Sequence, residues 1–249
     1  MNKYILKIDV QTNKVLSDSY TFVGDISFYR EEEDGKPPYC YFLSKHLNDL
    51  EAPKELWARS LALVSIYNGV KNLSFNPTSE LDSPSNMKIV SLHIWDDTFE
   101  NITPNDSFNI SQDKPFSDSL LNQDLTKGFG SVSQIIHLAK SKVDVLNLLL
   151  QLGNGLDWVS LYSVLDSIKY YSKQIDKKQF NKILKVSGFT NDNLKEFTGT
   201  ANNYGILGVK GRHGVTGTKI PTSTMTITDA QNFILKISKT YLYEVYGWK

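Results

Sequence analysis

The hydrophobic period of this 249-residue chain changes partway along it. Before residue 96, short segments alternate apolar and polar side chains, as in Leu6-Lys7-Ile8, and this two-residue period is typical of half-buried β-strands. After residue 130, apolar residues recur at three- and four-residue steps, which is typical of amphipathic helices. A chain that places its strands first and its helices afterwards is expected to fold as an α+β protein.

The strand-forming part also contains one long helical pattern. Four segments are predicted as strands, and the first three are expected to begin an antiparallel meander: 4–10, 20–29, 39–43 and 87–95. Between the third and fourth segments, residues 53–73 have a helical period and begin at Pro53, a residue that suits a first helical position. We therefore predict an N-terminal antiparallel sheet with one packed helix.

The polar segment 96–130 separates the two periods. It is rich in Asp, Asn, Ser and Thr, and it predicts a linker or a long loop between a sheet domain at 1–95 and a helical domain at 131–249. The helical domain is expected to be a bundle. One of its helices places four apolar residues on a single core-facing stripe: Trp158, Leu161, Leu165 and Ile168.

The composition indicates the cellular compartment in which the protein functions. It has no apolar run long enough for a membrane span, its first residues lack the apolar core of a signal peptide, and Cys40 is its single cysteine. These features favour a cytoplasmic protein without a membrane segment. The histidines share no ligand spacing with one another or with Cys40, so we expect no bound metal and no cofactor.

The net charge of zero conceals an asymmetry. Residues 1–128 carry 12 Lys/Arg and 19 Asp/Glu (12 − 19 = −7), whereas residues 129–249 carry 15 and 8 (15 − 8 = +7). Such a distribution indicates either an anionic partner or attraction between the two halves. Six lysines of the basic half are interleaved with aromatic residues: Lys169, Tyr170, Tyr171, Lys173, Lys177, Lys178, Phe180, Lys182 and Lys185. This pattern suits single-stranded nucleic acid, or else a solvated helix face whose aromatics point inward.

Residues 205–219 are the most unusual segment, because glycine occupies every third position from Gly205 to Gly217. Glycines allow a close backbone approach, and interleaved cations supply donors for a phosphate or carboxylate. The candidate ligand-binding residues are Asn202, Gly208, Lys210, Gly211 and Lys219. The segment matches neither a P-loop nor a dinucleotide-binding fingerprint. The other interpretation is a solvated connection between two helices.

Arg212 and His213 are the candidate catalytic residues. A histidine can act as acid or base near neutral pH, and an arginine beside it can bind a phosphate. Equally, the pair can lie on the surface, or Arg212 can anchor the loop to an acidic group of the N-terminal half. Asn202 either orients a nucleic-acid backbone or water, or simply ends a helix.

Two resemblances involve this half of the chain. Residues 131–249 resemble a group of uncharacterised bacterial proteins, through Trp158 to Tyr162, Thr200-Ala201-Asn202, Arg212-His213-Gly214 and the helix after Met225. Arg212-His213 is also similar to the start of the motif of HEPN-type helical domains, although Thr218 stands where that motif has its histidine. The second resemblance implies RNA binding or RNA cleavage in a bacterial defence or toxin system.

Two functions are consistent with these patterns. The first is a nucleic-acid- or phosphate-ligand-associated bacterial protein, with antiviral-defence and nuclease-like proteins among the candidates. The alternative is a non-enzymatic module whose N-terminal part recognises a protein and whose helical part forms oligomers. Sequence patterns leave open whether the chain is an enzyme.

Overall fold

In the computed structural model of the protein, the strands of an antiparallel sheet lie in the N-terminal part of the chain, with one long helix between the third and fourth strands, and helices make up the C-terminal part. The structure describes residues 2–9, 26–31, 39–77, 86–96, 98–103, 114–121, 131–214 and 220–249. The predicted α+β class is confirmed, with the sheet in the N-terminal part and a helical bundle in the C-terminal part.

The sheet has four antiparallel strands: β1 (Tyr4–Ile8), β2 (Ile26–Glu31), β3 (Tyr39–Ser44) and β4 (Ile89–Ile94). Their order is β2-β3-β1-β4, so β1 pairs with β3 and β4 and not with β2. The predicted meander is therefore wrong. Ile5 is as fully buried as Leu6 on the opposite face, and a strand with two apolar faces is stabilised by a central place in the sheet.

Within the described residues the α-helices are α1 (Pro53–Ser74), α2 (Asp118–Leu121), α3 (Ser131–Ser141), α4 (Val143–Gly153), α5 (Trp158–Ile175), α6 (Gln179–Val186), α7 (Asn191–Ala201), α8 (Tyr204–Leu207) and α9 (Ile227–Tyr246). The predicted helix on the sheet is confirmed as α1. Its Tyr67 meets Phe28 and Phe42 edge to face, with ring centroids 5.0 and 5.5 Å apart.

The predicted core stripe of α5 is also confirmed. Trp158 is 5% exposed, and Leu161, Leu165 and Ile168 are buried as well. The helix begins where the Asp157 carboxylate accepts hydrogen bonds from the backbone N–H groups of Val159 and Ser160. Local sequence thus determines both the start of α5 and the side that it buries.

The residues group into two compact units that interleave along the chain. The first comprises Met1–Asn68 and Ser85–Lys142, and the second comprises Gly69–Pro84 and Val143–Lys249. Helix α1 therefore contributes its last residues to the second unit. There Asn72 Nδ2 donates a hydrogen bond of 2.7 Å to the carbonyl oxygen of Leu152. The predicted division at 1–95, 96–130 and 131–249 stays a prediction, because compact units are not by themselves independently folding domains.

A membrane-spanning helix would need a longer apolar stretch than any helix among the described residues provides.

Candidate anion-binding site

The segment around Arg212 begins where α7 ends. Asn202 is the C-terminal cap of α7, and Asn203 precedes the short helix α8, which is followed by a 3₁₀ turn at Gly208–Lys210. Residues 205–210, predicted as the first part of a loop, are thus helical. Gly208 has φ +56° and ψ −135°, a conformation open to glycine alone, and it turns the chain between α8 and the 3₁₀ turn.

Two residues that follow α8, Arg212 and Met225, are hydrogen-bonded to the last turn of α7. The backbone N–H of Arg212 donates to the carbonyl oxygen of Ala201 at 2.9 Å. On the other side, the backbone N–H of Met225 donates to Thr200 Oγ1 at 3.0 Å. Thr200 and Ala201 are fully buried, so these two contacts fix the backbone at Arg212 and at Met225 to a buried part of α7.

The side chain of Arg212 lies on the ring of Tyr162 in α5. The guanidinium carbon is 4.0 Å from the ring centroid, which is a cation–π contact. Tyr162 stacks on Phe197 of α7, and its hydroxyl accepts a hydrogen bond of 3.3 Å from Asn202 Nδ2. Arg212 therefore rests on an aromatic ring whose own position is set by two other residues.

Asp166, one turn after Tyr162 in α5, is the acidic neighbour of Arg212. Its Oδ2 is 3.6 Å from Arg212 Nη2, and the two side chains are 47% and 37% exposed. This distance is longer than that of a charge-assisted hydrogen bond, and water screens a pair this exposed. Among the described residues, the acidic neighbour of Arg212 thus belongs to the C-terminal half, and it holds the guanidinium only weakly.

A second cation lies close to Asp166. Burial lowers the pKa of the Lys169 ammonium, and the Asp166 carboxylate acts in the opposite direction. Lys169 Nζ lies 5.7 Å from the ring centroid of Phe180. One carboxylate therefore lies near cations from two parts of the chain, Lys169 in α5 and Arg212 in the loop.

The aromatics predicted to interleave with lysines differ in their surroundings. Tyr170 is 60% exposed, whereas the Tyr171 hydroxyl accepts a hydrogen bond of 2.6 Å from Asn147 Nδ2. Phe180 lies beneath Lys169. One of the three rings is thus open to solvent, and the other two are engaged with the protein.

The predicted site residues are only partly brought together. Arg212 and Asn202 both contact Tyr162. Lys210 and His213 are exposed. Gly211 has φ −74°, so it does not need the conformational freedom of glycine. Lys219 lies outside the described residues.

Sequence reasoning missed Asp166 and the role of Tyr162. The sequence patterns place Tyr162 in an amphipathic helix without giving it a contact to a cation, and they do not point to Asp166. The available signal was their four-residue spacing, which places both side chains on one face of α5. An acidic residue just before a basic stretch also marks a place where a cation can be held.

No group of three or more His, Cys, Asp or Glu residues that could hold a metal ion occurs among the described residues.

Comparison with known proteins gives no match to this chain among protein-family models, curated proteins or solved structures.

Proposed function

We propose that the protein binds a phosphate-bearing ligand, namely a nucleic-acid backbone, through Arg212. The observation that carries this proposal is the stacking of Arg212 on Tyr162, 4.0 Å from the ring centroid, with its acidic neighbour at 3.6 Å. A guanidinium that lies on an aromatic ring keeps the N–H groups at its edge free to donate hydrogen bonds to two phosphate oxygens. Because the side chain is already oriented, binding costs less conformational entropy.

The surrounding charge supports the same ligand. Residues 169–219 carry 10 Lys/Arg and 3 Asp/Glu, and Lys210 lies two residues before Arg212. Lys173, Lys177 and Lys178 are exposed near the end of α5. Clustered cations attract a polyanion over distances of about 10 Å at moderate salt. Arg212 would then provide the oriented contact within this general attraction.

A catalytic role belongs to the proposal only through His213. The resemblance to HEPN-type domains implies RNA cleavage by a bacterial defence or toxin protein in the cytoplasm, and His213 would be its acid or base. The exposure of His213 beside Arg212 in the chain suits access to a bound phosphodiester. Loss of RNA cleavage in His213→Ala, with RNA binding retained, would support this role.

Binding is tested with labelled RNA and DNA single strands of the same sequence, measured by fluorescence anisotropy over a salt series. We expect affinity to fall steeply with salt. Arg212→Ala should weaken binding by about tenfold or more, and Arg212→Lys should restore it only in part, because an ammonium lacks the bidentate fork.

Lys195→Ala is the matched control. Lys195 is an exposed cation of α7 that pairs with Asp192 at 3.0 Å. Lys195→Ala and Arg212→Ala each remove one positive charge. The affinity of Lys195→Ala should stay within about twofold of wild type. Equal losses in Lys195→Ala and Arg212→Ala would show that only total charge matters, and they would overturn the assignment to Arg212.

The alternative function, a protein-interaction or oligomerisation module, is favoured by one observation near the same segment. Val209 is 91% exposed and Ile220 is 65% exposed, although both are large aliphatic residues. Exposed apolar side chains are common at protein interfaces. A salt-resistant dimer in light scattering that Val209→Asp dissociates, together with no nucleic-acid affinity, would support this alternative.

A further inference from the structure

We infer that the ligand is single-stranded, and that one of its unpaired bases stacks on Tyr170. This inference rests on the proposed binding of a nucleic-acid backbone at Arg212, and it names the class of strand that the site accepts.

One face of α5 connects the two contacts. Tyr162, Asp166 and Tyr170 follow four-residue steps, and Lys173 comes three residues later, so the four side chains share a face. Arg212 lies on the first of them. The eight steps from Tyr162 to Tyr170 span about 12 Å of helix axis, a distance that a strand of a few nucleotides can bridge.

Tyr170 has the properties of a stacking platform. It is 60% exposed, and Tyr171 meets it edge to face with ring centroids 5.2 Å apart and an interplanar angle of 78°. The hydrogen bond from Asn147 in turn holds Tyr171. The Tyr170 ring is therefore supported on one side and still accessible to a planar ligand, which lowers the entropic cost of stacking.

The charges along this face favour a defined strand path. Arg212 and Lys173 attract phosphates at its two ends, whereas the Asp166 carboxylate between them repels a phosphate. A strand crossing Asp166 is therefore expected to turn its bases, and not its phosphates, toward the middle of the face. Tyr170 is one turn beyond Asp166, where such a base can meet it.

Stacking of this kind selects unpaired bases. In a duplex each base is already stacked within the helix, so a side chain cannot reach its face without disrupting the pair. A single strand presents its bases at much lower cost, and any base can stack on an aromatic ring. The site is therefore expected to prefer single strands and to tolerate different base sequences.

The test compares two labelled single strands of equal length, about twelve nucleotides, one with bases and one with an abasic backbone. Both carry the same phosphates, so they differ only in stacking. Wild type should bind the base-bearing strand about tenfold more tightly than the abasic strand, and also more tightly than a duplex of the same sequence.

Three variants identify the platform. Tyr170→Ala should bind the two strands equally, whereas Tyr170→Phe should keep the preference because its ring is intact. Tyr243→Ala is the matched control, since Tyr243 is a 51% exposed tyrosine of another helix, α9. Its preference should equal that of wild type. Tyr170 is exposed, so thermal unfolding of Tyr170→Ala should match wild type and exclude misfolding.

The possible outcomes distinguish a failure of this inference from a failure of the proposed nucleic-acid binding. If wild type binds none of the strands, the proposed function itself fails. Salt-sensitive, Arg212-dependent binding that ignores bases, or that favours duplex, would keep the proposed function and overturn the stacking inference. A preference that survives in Tyr170→Ala, or that disappears equally in Tyr243→Ala, would also overturn it.

Discussion

The hydroxyl of Tyr246 donates to both carboxylate oxygens of Asp144, at 2.8 Å from Oδ1 and 2.7 Å from Oδ2. The hydroxyl of Tyr241 donates to Oδ2 of the same carboxylate. Asp144 is buried in the first turn of α4, and both tyrosines belong to α9. A buried carboxylate that accepts from two hydroxyls fastens the end of the last helix to the start of α4.

These tyrosines predict a loss of stability in alkali. The pKa values of both phenols are raised above the ordinary value of 10.0. Burial is the largest cause, and the nearby Asp144 carboxylate is the next. In the unfolded chain the phenols ionise first as pH rises. Their contribution to stability is therefore complete below about pH 10 and decreases above it, which denaturant unfolding from about pH 8 to about pH 11 will measure.

Tyr246→Phe should show a smaller alkaline loss than wild type, because one of the two phenols is absent. Tyr243→Phe is the control: Tyr243 is exposed on the same helix, so its removal should leave the pH profile unchanged. Identical profiles for wild type and Tyr246→Phe would contradict this account.

Trp158→Ala should lower the free energy of unfolding by about 3–5 kcal/mol, because it leaves a cavity in the bundle core. Trp158 is 5% exposed, and its ring centroid lies 5.9 Å from that of Phe197. Val159→Ala, at the next position, should cost less than about 1 kcal/mol, since Val159 is 48% exposed. Reversible urea unfolding measures both. A loss of less than about 1 kcal/mol in Trp158→Ala, as in Val159→Ala, would show that Trp158 contributes little through packing.

Gly69→Ala should destabilise the protein although alanine favours helices. A Cβ at position 69 would lie 2.0 Å from the carbonyl oxygen of Leu149, so one backbone segment would have to move. We expect a loss of about 1–3 kcal/mol or more, which exceeds the gain of about 1 kcal/mol from helix propensity.

Gly199→Ala tests the same exchange without the clash. Gly199 is within α7, and its added Cβ would lie 3.5 Å from the Pro221 side chain, an ordinary contact. This variant should unfold at equal or higher urea concentration than wild type. Stabilisation of both glycine variants would argue against close packing at Gly69.

Asp166→Asn should tighten the binding of single strands by about threefold. The exchange removes the negative charge beside Arg212, while stacking on Tyr162 still orients the guanidinium. Anisotropy at low salt measures the change, and the difference should shrink as salt is added. Weaker binding by this variant would mean that the ion pair is needed to position Arg212.

Features determined within one helix were predictable from the sequence. The cap at Asp157 and the buried stripe from Trp158 depend on spacings of a few residues, and the structure has both. The contact of Arg212 with Tyr162 was not predictable, because it joins a loop to a helix distant in the chain. Periodicity assigns a face to each residue of a helix, but it does not say which distant residue covers that face.

The strand order was missed for the same reason. Alternation predicted that β1 is a strand, but its neighbours depend on long-range pairing, and β1 lies between β3 and β4. The link between Asp144 and Tyr246 spans 102 residues of chain. A single sequence contains no pairing signal over that distance.

The division of α1 between two compact units bears on any attempt to cut the chain. A fragment that starts at residue 131 would lack Asn72, which donates to the Leu152 carbonyl, and Gly69, which lies against Leu149. Its α4 would be left without the part of α1 that packs against Leu149 and donates to Leu152. Proteolysis in the 96–130 segment can therefore leave the protein folded as a nicked, non-covalent complex, whereas separating the two pieces should unfold the basic helices.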